Sequence, residues 1–182
     1  MKGVIYFTKI KEEYAGKNME HMIGEKVLEQ AIKKEYNIRL AYEPRALGEH
    51  GKPFFTLRPT IHYNISHSGE YVMCILAERA VGIDVQIHKE VNMERMLKRM
   101  VTPELAAEIL GSENVKERFF EQWVLREAYI KSTGEGLSRD LRTIPFDRGY
   151  HQLLEFKKGY SVAVWSAVQM EIRWEQVDVA LN

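Results

Sequence analysis

From position 81 to 88 apolar residues stand at every odd position, while Gly82, Asp84, Gln86 and His88 fill the even ones. Successive side chains of a strand point to opposite faces, so this stretch predicts a half-buried strand in mid-chain with one apolar and one polar face. Its flanks restrict the architecture further. Before it, residues 4–7 are β-branched and aromatic, and Met19, Ile23, Val27 and Ala31, backed by Leu28 and Ile32, keep helical spacing as far as Tyr36. Pro44, Gly48, Gly51, Pro53 and Pro59 then predict loop with short extended pieces, and a β block from residue 62 turns at His67-Ser68-Gly69-Glu70. After it, Met93, Met96, Leu97 and Met100 form one apolar stripe, and Thr102-Pro103 supplies an N-cap with proline at the first helical position. Gly111 should end that second helix. Ser112 is expected to cap a long aromatic helix through Phe119, Phe120, Trp123, Val124 and Ile130, which Gly134 should stop. Beyond a Gly-Glu-Gly-Leu-Ser loop at 134–138, residues 153–156 and 160–168 predict a hairpin around Lys157-Lys158-Gly159, and 171–179 a last strand. Strand-helix-loop-β followed by β-helix-helix-β predicts an α+β fold in two halves, residues 1–80 and 81–182.

Composition narrows the functional classes. The chain has 182 residues, 45% of them hydrophobic, which is enough for a real core. Lys plus Arg and Asp plus Glu number 26 each, so the basic excess of a non-specific nucleic-acid binder is missing and no such partner is expected. Cys74 is the one cysteine, which excludes an intrachain disulfide and a zinc ribbon and suits a reducing, cytoplasmic setting. The longest apolar run, Tyr71–Ala77, is far too short to span a bilayer. The first residues read as an opening strand and not as a signal-peptide core.

Several residues could carry chemistry. Asp84 and Gln86 fall on one strand face about 7 Å apart, so both can reach one hard cation, for which magnesium with its oxygen ligands is the natural candidate. The plain alternative is an ordinary solvent face. Trp123, Glu127 and Lys131 follow at four-residue steps on one side of the long helix; Glu127 could be a third metal oxygen or a base and Lys131 a phosphate contact, where the plain alternative is a surface ion pair. Asn64-Ile65-Ser66-His67-Ser68-Gly69 could grip phosphate, as could Lys52 in Gly51-Lys52-Pro53, although simple turns would look the same. A Ser66, His67 and Asp84 triad is disfavoured because neighbours in an extended strand point apart, and no G-x-S-x-G elbow is present. No G-x-x-x-x-G-K-[ST] loop occurs either.

Taken together in order and spacing, GKP at 51–53, YNISHSG at 63–69, VGIDVQ at 81–86 and FFEQWVLREAYIKSTGEGL at 119–137 resemble the 4′-phosphopantetheinyl transferases of the surfactin-synthetase-activating type. The resemblance implies a monomeric pseudodimer of two similar α+β halves with coenzyme A in the cleft between them and magnesium on its pyrophosphate. It implies that Asp84, Gln86 and Glu127 hold the metal, Lys52, Ser66 and His67 bind the coenzyme, and Glu127 and Lys131 are catalytic. The implied reaction transfers the 4′-phosphopantetheine of coenzyme A to a serine of an apo acyl or peptidyl carrier protein and releases adenosine 3′,5′-bisphosphate. Two residues depart from the pattern: Gln86 stands where many members have a metal-binding glutamate, and Arg126 where the motif has lysine. The segment at Glu20-His21 is short where members carry a basic stretch for the adenosine phosphates. The competing reading is a non-enzymatic binder of coenzyme A or carrier protein with a degraded metal site. Met93, Met96 and Met100 are candidates for part of a carrier-facing strip, with ordinary core as the plain alternative.

Overall fold

The computed structural model describes residues 1–136 and 139–181, so Leu137 and Ser138 of the predicted 134–138 loop lie outside the described residues. The first unit opens with β1 (Lys2–Lys9), followed by α1 (Glu20–Tyr36). Asn37 ends this helix in the left-handed conformation, returning its N–H to the Lys33 carbonyl. The proline- and glycine-broken stretch holds a minimal hairpin, β2 (Arg45–Leu47) and β3 (Pro53–Phe55). The block that follows is β4 (His62–Ser68) and β5 (Tyr71–Ala77), hinged at Gly69 with positive φ. The second unit runs β6 (Val81–Ile87), α2 (Met93–Met100), α3 (Pro103–Leu110), α4 (Val115–Thr133), β7 (Tyr150–Leu154) and β8 (Tyr160–Ser166). The chain then forms β9 (Glu171–Gln176).

The sheets are ordered β4-β5-β1-β9 and β6-β8-β7. In each unit an opening strand, β1 or β6, is followed by helix and then by a hairpin whose second strand returns antiparallel to the opener. The fold is α+β, and this strand-helix-hairpin connection occurs twice. β9 does not join the second sheet, although it follows it in sequence. It pairs in parallel with β1, and Val177, Val179 and Leu181 pack into the first unit's core, so the end of the chain crosses back over the expected boundary at residue 80.

Burial explains the apolar run of β5. Val72, Cys74 and Leu76 pack under α1 with Ile23, Val27, Leu28, Ala31 and Ile32, while Met73, Ile75 and Ala77 on the opposite face meet Val81, Ile83 and Val85 of β6 and Val162 and Val164 of β8. A strand covered on both faces cannot alternate polar with apolar. The polar face of β6 is in turn covered by α4, which packs on β6 and β8 through Val124, Leu125, Ala128 and Ala163.

Two local expectations differ from the structure. Asn114, not Ser112, occupies the N-cap of α4, because the Ser112 hydroxyl donates to the Ile109 carbonyl at the end of α3. Met100 is buried with Leu97 and Ile109 against Phe119 and Phe120 and is core, while Met93 and Met96 pack on the same cluster and stay partly exposed. Thr102 caps α3 as expected, accepting the Leu105 N–H. Among the described residues no helix is long and apolar enough to cross a membrane.

Candidate active site

The edges of the two sheets meet where β4 runs beside β6, and side chains make the connection. Asn64, Ser66 and Ser68, at alternate positions of β4, accept hydrogen bonds from the N–H groups of Ile83, Val85 and Ile87 at 2.9, 3.1 and 3.1 Å. The three side chains satisfy donors along the free edge of β6, which would otherwise be buried without acceptors. Asp84 lies in this seam, 5% exposed. Its Oδ1 accepts the Ser66 hydroxyl at 2.9 Å and the Lys131 ammonium at 2.6 Å, and Lys131 also donates to Ser66 Oγ at 2.9 Å. Strand period places Asp84 on the face that α4 covers, and the helical step of four brings Glu127 and Lys131 to that face.

The other carboxylate oxygens are the distinctive feature. Among the described residues, Asp84 Oδ2 and Glu127 Oε1 are buried without a hydrogen-bond partner. Burial raises the Glu127 pKa above the ordinary carboxylate range, the charge of Asp84 raises it further, and Lys131 opposes the shift. A buried Asp84 beside a half-buried Glu127, each with an unused buried oxygen, suits a divalent cation. Among the described residues no three His, Cys, Asp or Glu side chains group together as a metal site. A magnesium ion held by these two carboxylates alone would have to complete its shell with phosphate and water. Gln86 lies on the same strand face, opposite Ser161 of β8, with its amide nitrogen donating to the Ile87 carbonyl at 3.3 Å.

A cleft of about 340 Å³ opens onto Glu127 and Lys131 and is closed on its other side by His50, Gly51, Lys52 and Asn64, so both units line it. Asp84 itself does not line this cleft, and the larger hollows, about 460 Å³ near Glu35 and about 680 Å³ near Lys11, contain neither carboxylate. Lys52 points across the seam and donates to the carbonyls of Val81 at 3.1 Å and Ser132 at 2.6 Å; burial lowers its pKa to about 8. His67 is exposed and alternates away from Ser66, and partial burial lowers its pKa. Ser66 therefore reaches Asp84 directly, with no imidazole relaying between them, and the hydrolase triad is not formed. Arg126 turns away from the cleft. Its guanidinium bonds the Met100 carbonyl at 2.8 Å and Gln122 Oε1 at 2.6 Å and lies over the Phe146 ring, so this departure from the motif ties α2 to α4.

Sequence reasoning brought Asp84, Gln86, Glu127, Lys131, Lys52 and Ser66 forward but missed Asn64 and Ser68 as seam residues. The available signal was polar alternation in β4, with Asn64, Ser66 and Ser68 at even positions against Tyr63 and Ile65 at odd ones. It missed Gly82 as well. A Cβ there would lie 1.9 Å from the Ala128 carbonyl oxygen, so the glycine sets how closely α4 approaches β6.

A doubled α+β unit with a carboxylate-lysine cluster at its seam is the class these features define. Residues 80–180 match the model of the 4′-phosphopantetheinyl transferase superfamily. The chain belongs to that superfamily. It is 30% identical over 122 residues to a 4′-phosphopantetheinyl transferase of Bacillus subtilis, covering 66% of this chain and 54% of that protein. It is 26% identical over 158 residues to the 4′-phosphopantetheinyl transferase gsp of Aneurinibacillus migulanus, covering 86% and 64%. The L-aminoadipate-semialdehyde dehydrogenase-phosphopantetheinyl transferase of Xenopus laevis matches at 31% over 112 residues, 53% of this chain and 37% of that protein. The chain thus spans about half the length of the Bacillus subtilis relative.

Proposed function

We propose that the protein transfers the 4′-phosphopantetheine group of coenzyme A to a serine of an apo acyl or peptidyl carrier protein, in a magnesium-dependent reaction of the cytoplasm that releases adenosine 3′,5′-bisphosphate. The observation that carries this reading is the pair of orphaned carboxylate oxygens on Asp84 and Glu127 beside Lys131, of which Glu127 and Lys131 line a cleft shared by both units. Membership of the superfamily and the names of the relatives support it. The two units, 1–80 and 81–182 apart from the returning β9, act as halves of a monomeric pseudodimer.

In the reaction the serine oxygen forms a bond to the phosphorus bearing pantetheine, and the bond from that phosphorus to the bridging oxygen breaks. Such transfers depend on positioning and charge neutralisation more than on covalent help. Asp84 and Glu127, with Gln86 on the same strand face as Asp84, would hold a magnesium ion, which when bound would neutralise the pyrophosphate. Glu127 takes the serine proton. Lys131, 28% exposed at its side chain, meets the charge that builds on the bridging oxygen. His67 is exposed and free to meet a coenzyme phosphate. For Lys52 to do the same, its ammonium must leave the Val81 and Ser132 carbonyls.

Incubation of the purified protein with coenzyme A, magnesium and several apo carrier proteins should add one phosphopantetheine to a carrier, read by intact mass. No transfer to any carrier would favour a non-enzymatic binder. Gln86 gives a graded test. If its amide stands at the ion, Gln86→Glu adds a negative charge within a few ångströms of a divalent cation, and less magnesium should suffice for half-maximal transfer. A titration that superimposes on the wild-type curve would remove Gln86 from the metal site, since a screened charge beyond about 10 Å has little effect.

A further inference from the structure

We propose that Tyr160 is a positioning residue: its hydroxyl latches the turn between β4 and β5 to the second unit and so holds the two units at the angle at which both present their groups to one coenzyme. The inference rests on the reading of the shared cleft as the coenzyme site.

The units are pinned at both ends of the seam between β4 and β6. At the start of β6 the pin is Lys52, which donates to the Val81 and Ser132 carbonyls. Between the ends lie the three rungs from Asn64, Ser66 and Ser68, in each of which a side chain of the first unit accepts an N–H of β6. At the far end the direction reverses. Tyr160 pairs with Ile87 in the ladder of β6 and β8, and its side chain reaches over the end of β6 to the turn, where the hydroxyl accepts the Glu70 N–H at 3.1 Å. The ring is wedged in place, edge-to-face against Tyr71 with centroids 5.2 Å apart, and Tyr71 packs in the same way on Phe156 at 4.9 Å. Gly69 shows how close the approach is. A Cβ there would lie 2.5 Å from the Tyr160 hydroxyl oxygen and 2.9 Å from Ile87 Cδ1, and the residue has a φ of +57°, so glycine is what lets the turn come down onto the second unit. The Glu70 carbonyl accepts the Ile10 N–H at 2.8 Å, so both units grip the same peptide.

The site residues divide across this joint. Asp84, Glu127 and Lys131 all stand on β6 and α4, within the second unit, whereas Lys52 and His67 belong to the first. Rocking of the units therefore keeps the two carboxylates together and moves them away from the first unit's groups. Cation binding should not feel the latch. Coenzyme binding should, because apparent affinity falls with the population of the arrangement that binds.

The test compares the full chain with two variants. Tyr160→Phe keeps the ring and deletes the latch; Tyr14→Phe deletes a hydroxyl of the same kind, which accepts the Leu181 N–H at 3.0 Å and holds the end of the chain against the first unit's core. Transfer is measured with coenzyme A varied at saturating carrier protein and magnesium, Mn²⁺ binding is read from the electron paramagnetic resonance signal of the free ion, and thermal unfolding is followed for each protein. Tyr160→Phe should raise KM for coenzyme A about three- to tenfold, the factor that one ordinary hydrogen bond corresponds to, with kcat within about twofold of wild type and Mn²⁺ affinity unchanged. Tyr14→Phe should lose a similar amount of thermal stability and leave KM for coenzyme A where it was. Unchanged KM in Tyr160→Phe overturns the proposal. An equal rise in both variants also overturns it, by assigning the effect to stability, and so does a parallel loss of Mn²⁺ affinity in Tyr160→Phe, which would mean that the second unit itself is disturbed. A wild type that transfers nothing to any carrier is a failure of the proposed reaction and not of the latch; coenzyme A affinity by calorimetry then replaces KM and the same comparison decides. A wild type that does not bind coenzyme A removes the site, and the inference with it.

Discussion

Glu127→Gln should lower phosphopantetheine transfer by about 10²–10⁴-fold, the range for loss of a positioned general base, and leave the fold intact. The amide keeps the shape of the carboxylate and removes its charge. In the metal-free protein that charge is a burden, because burial and the neighbouring Asp84 raise the pKa of Glu127 and its Oε1 has no hydrogen-bond donor among the described residues. The variant should therefore unfold at the same temperature as the wild type or slightly above it. Asp84→Asn has the opposite stability sign. Its Oδ1 is held by Lys131 at 2.6 Å and by Ser66, so neutralising it leaves an ammonium without its partner. The cost should fall below the ~3–5 kcal/mol of breaking a fully buried pair, because Lys131 retains access to water. Activity lost with stability kept at Glu127, and both lost at Asp84, is the signature of an acid-rich site held on one side by lysine. Wild-type-like transfer by Glu127→Gln would remove Glu127 from both its roles.

The sequence carried this site unevenly, for physical reasons. Asp84 and Gln86 were legible because a strand's period of two is strict, and Glu127 with Lys131 because a helical step of four is nearly so. The Thr102-Pro103 start of α3 and the Gly134 end of α4 are local chemistry, and both appear where expected. What escaped depends on contacts distant in sequence. Nothing in residues 171–179 says that their strand prefers β1 over β8, since the choice is made by the apolar faces of Val177, Val179 and Leu181 finding the α1 core. The polar face of β6 read equally well as a solvent face or a functional one. α4, arriving from more than thirty residues away, decides between them by covering it. The Asn64, Ser66 and Ser68 seam is a relation between two sheet edges, and a strand read alone shows only that its even positions are polar.

Gly82→Ala should be the most disruptive small substitution in the chain, because it acts on the contact that carries Glu127 and Lys131 to Asp84. The added methyl would lie 1.9 Å from the Ala128 carbonyl oxygen and 2.6 Å from the Ser132 nitrogen. Both are backbone atoms of α4, so no side chain can swing aside and the helix itself must lift off β6. Overpacking usually costs about 1–3 kcal/mol, and a clash against backbone belongs at the upper end or beyond. At roughly 2–4 °C per kcal/mol for a chain of this size, the unfolding midpoint should fall by about 6–12 °C. Gly24→Ala is the control. There the new methyl meets the Ile65 side chain at 3.0 Å, a contact that can yield, and alanine improves the helical propensity of α1 by about 1 kcal/mol, so its midpoint should barely move. Lifting α4 also withdraws Lys131 from Asp84 Oδ1, so Gly82→Ala should lose Mn²⁺ binding even at temperatures where it remains folded. Folded Gly82→Ala with wild-type Mn²⁺ affinity would mean that α4 can shift on β6 without disturbing the carboxylates, and would separate the packing of the second unit from the geometry of the site.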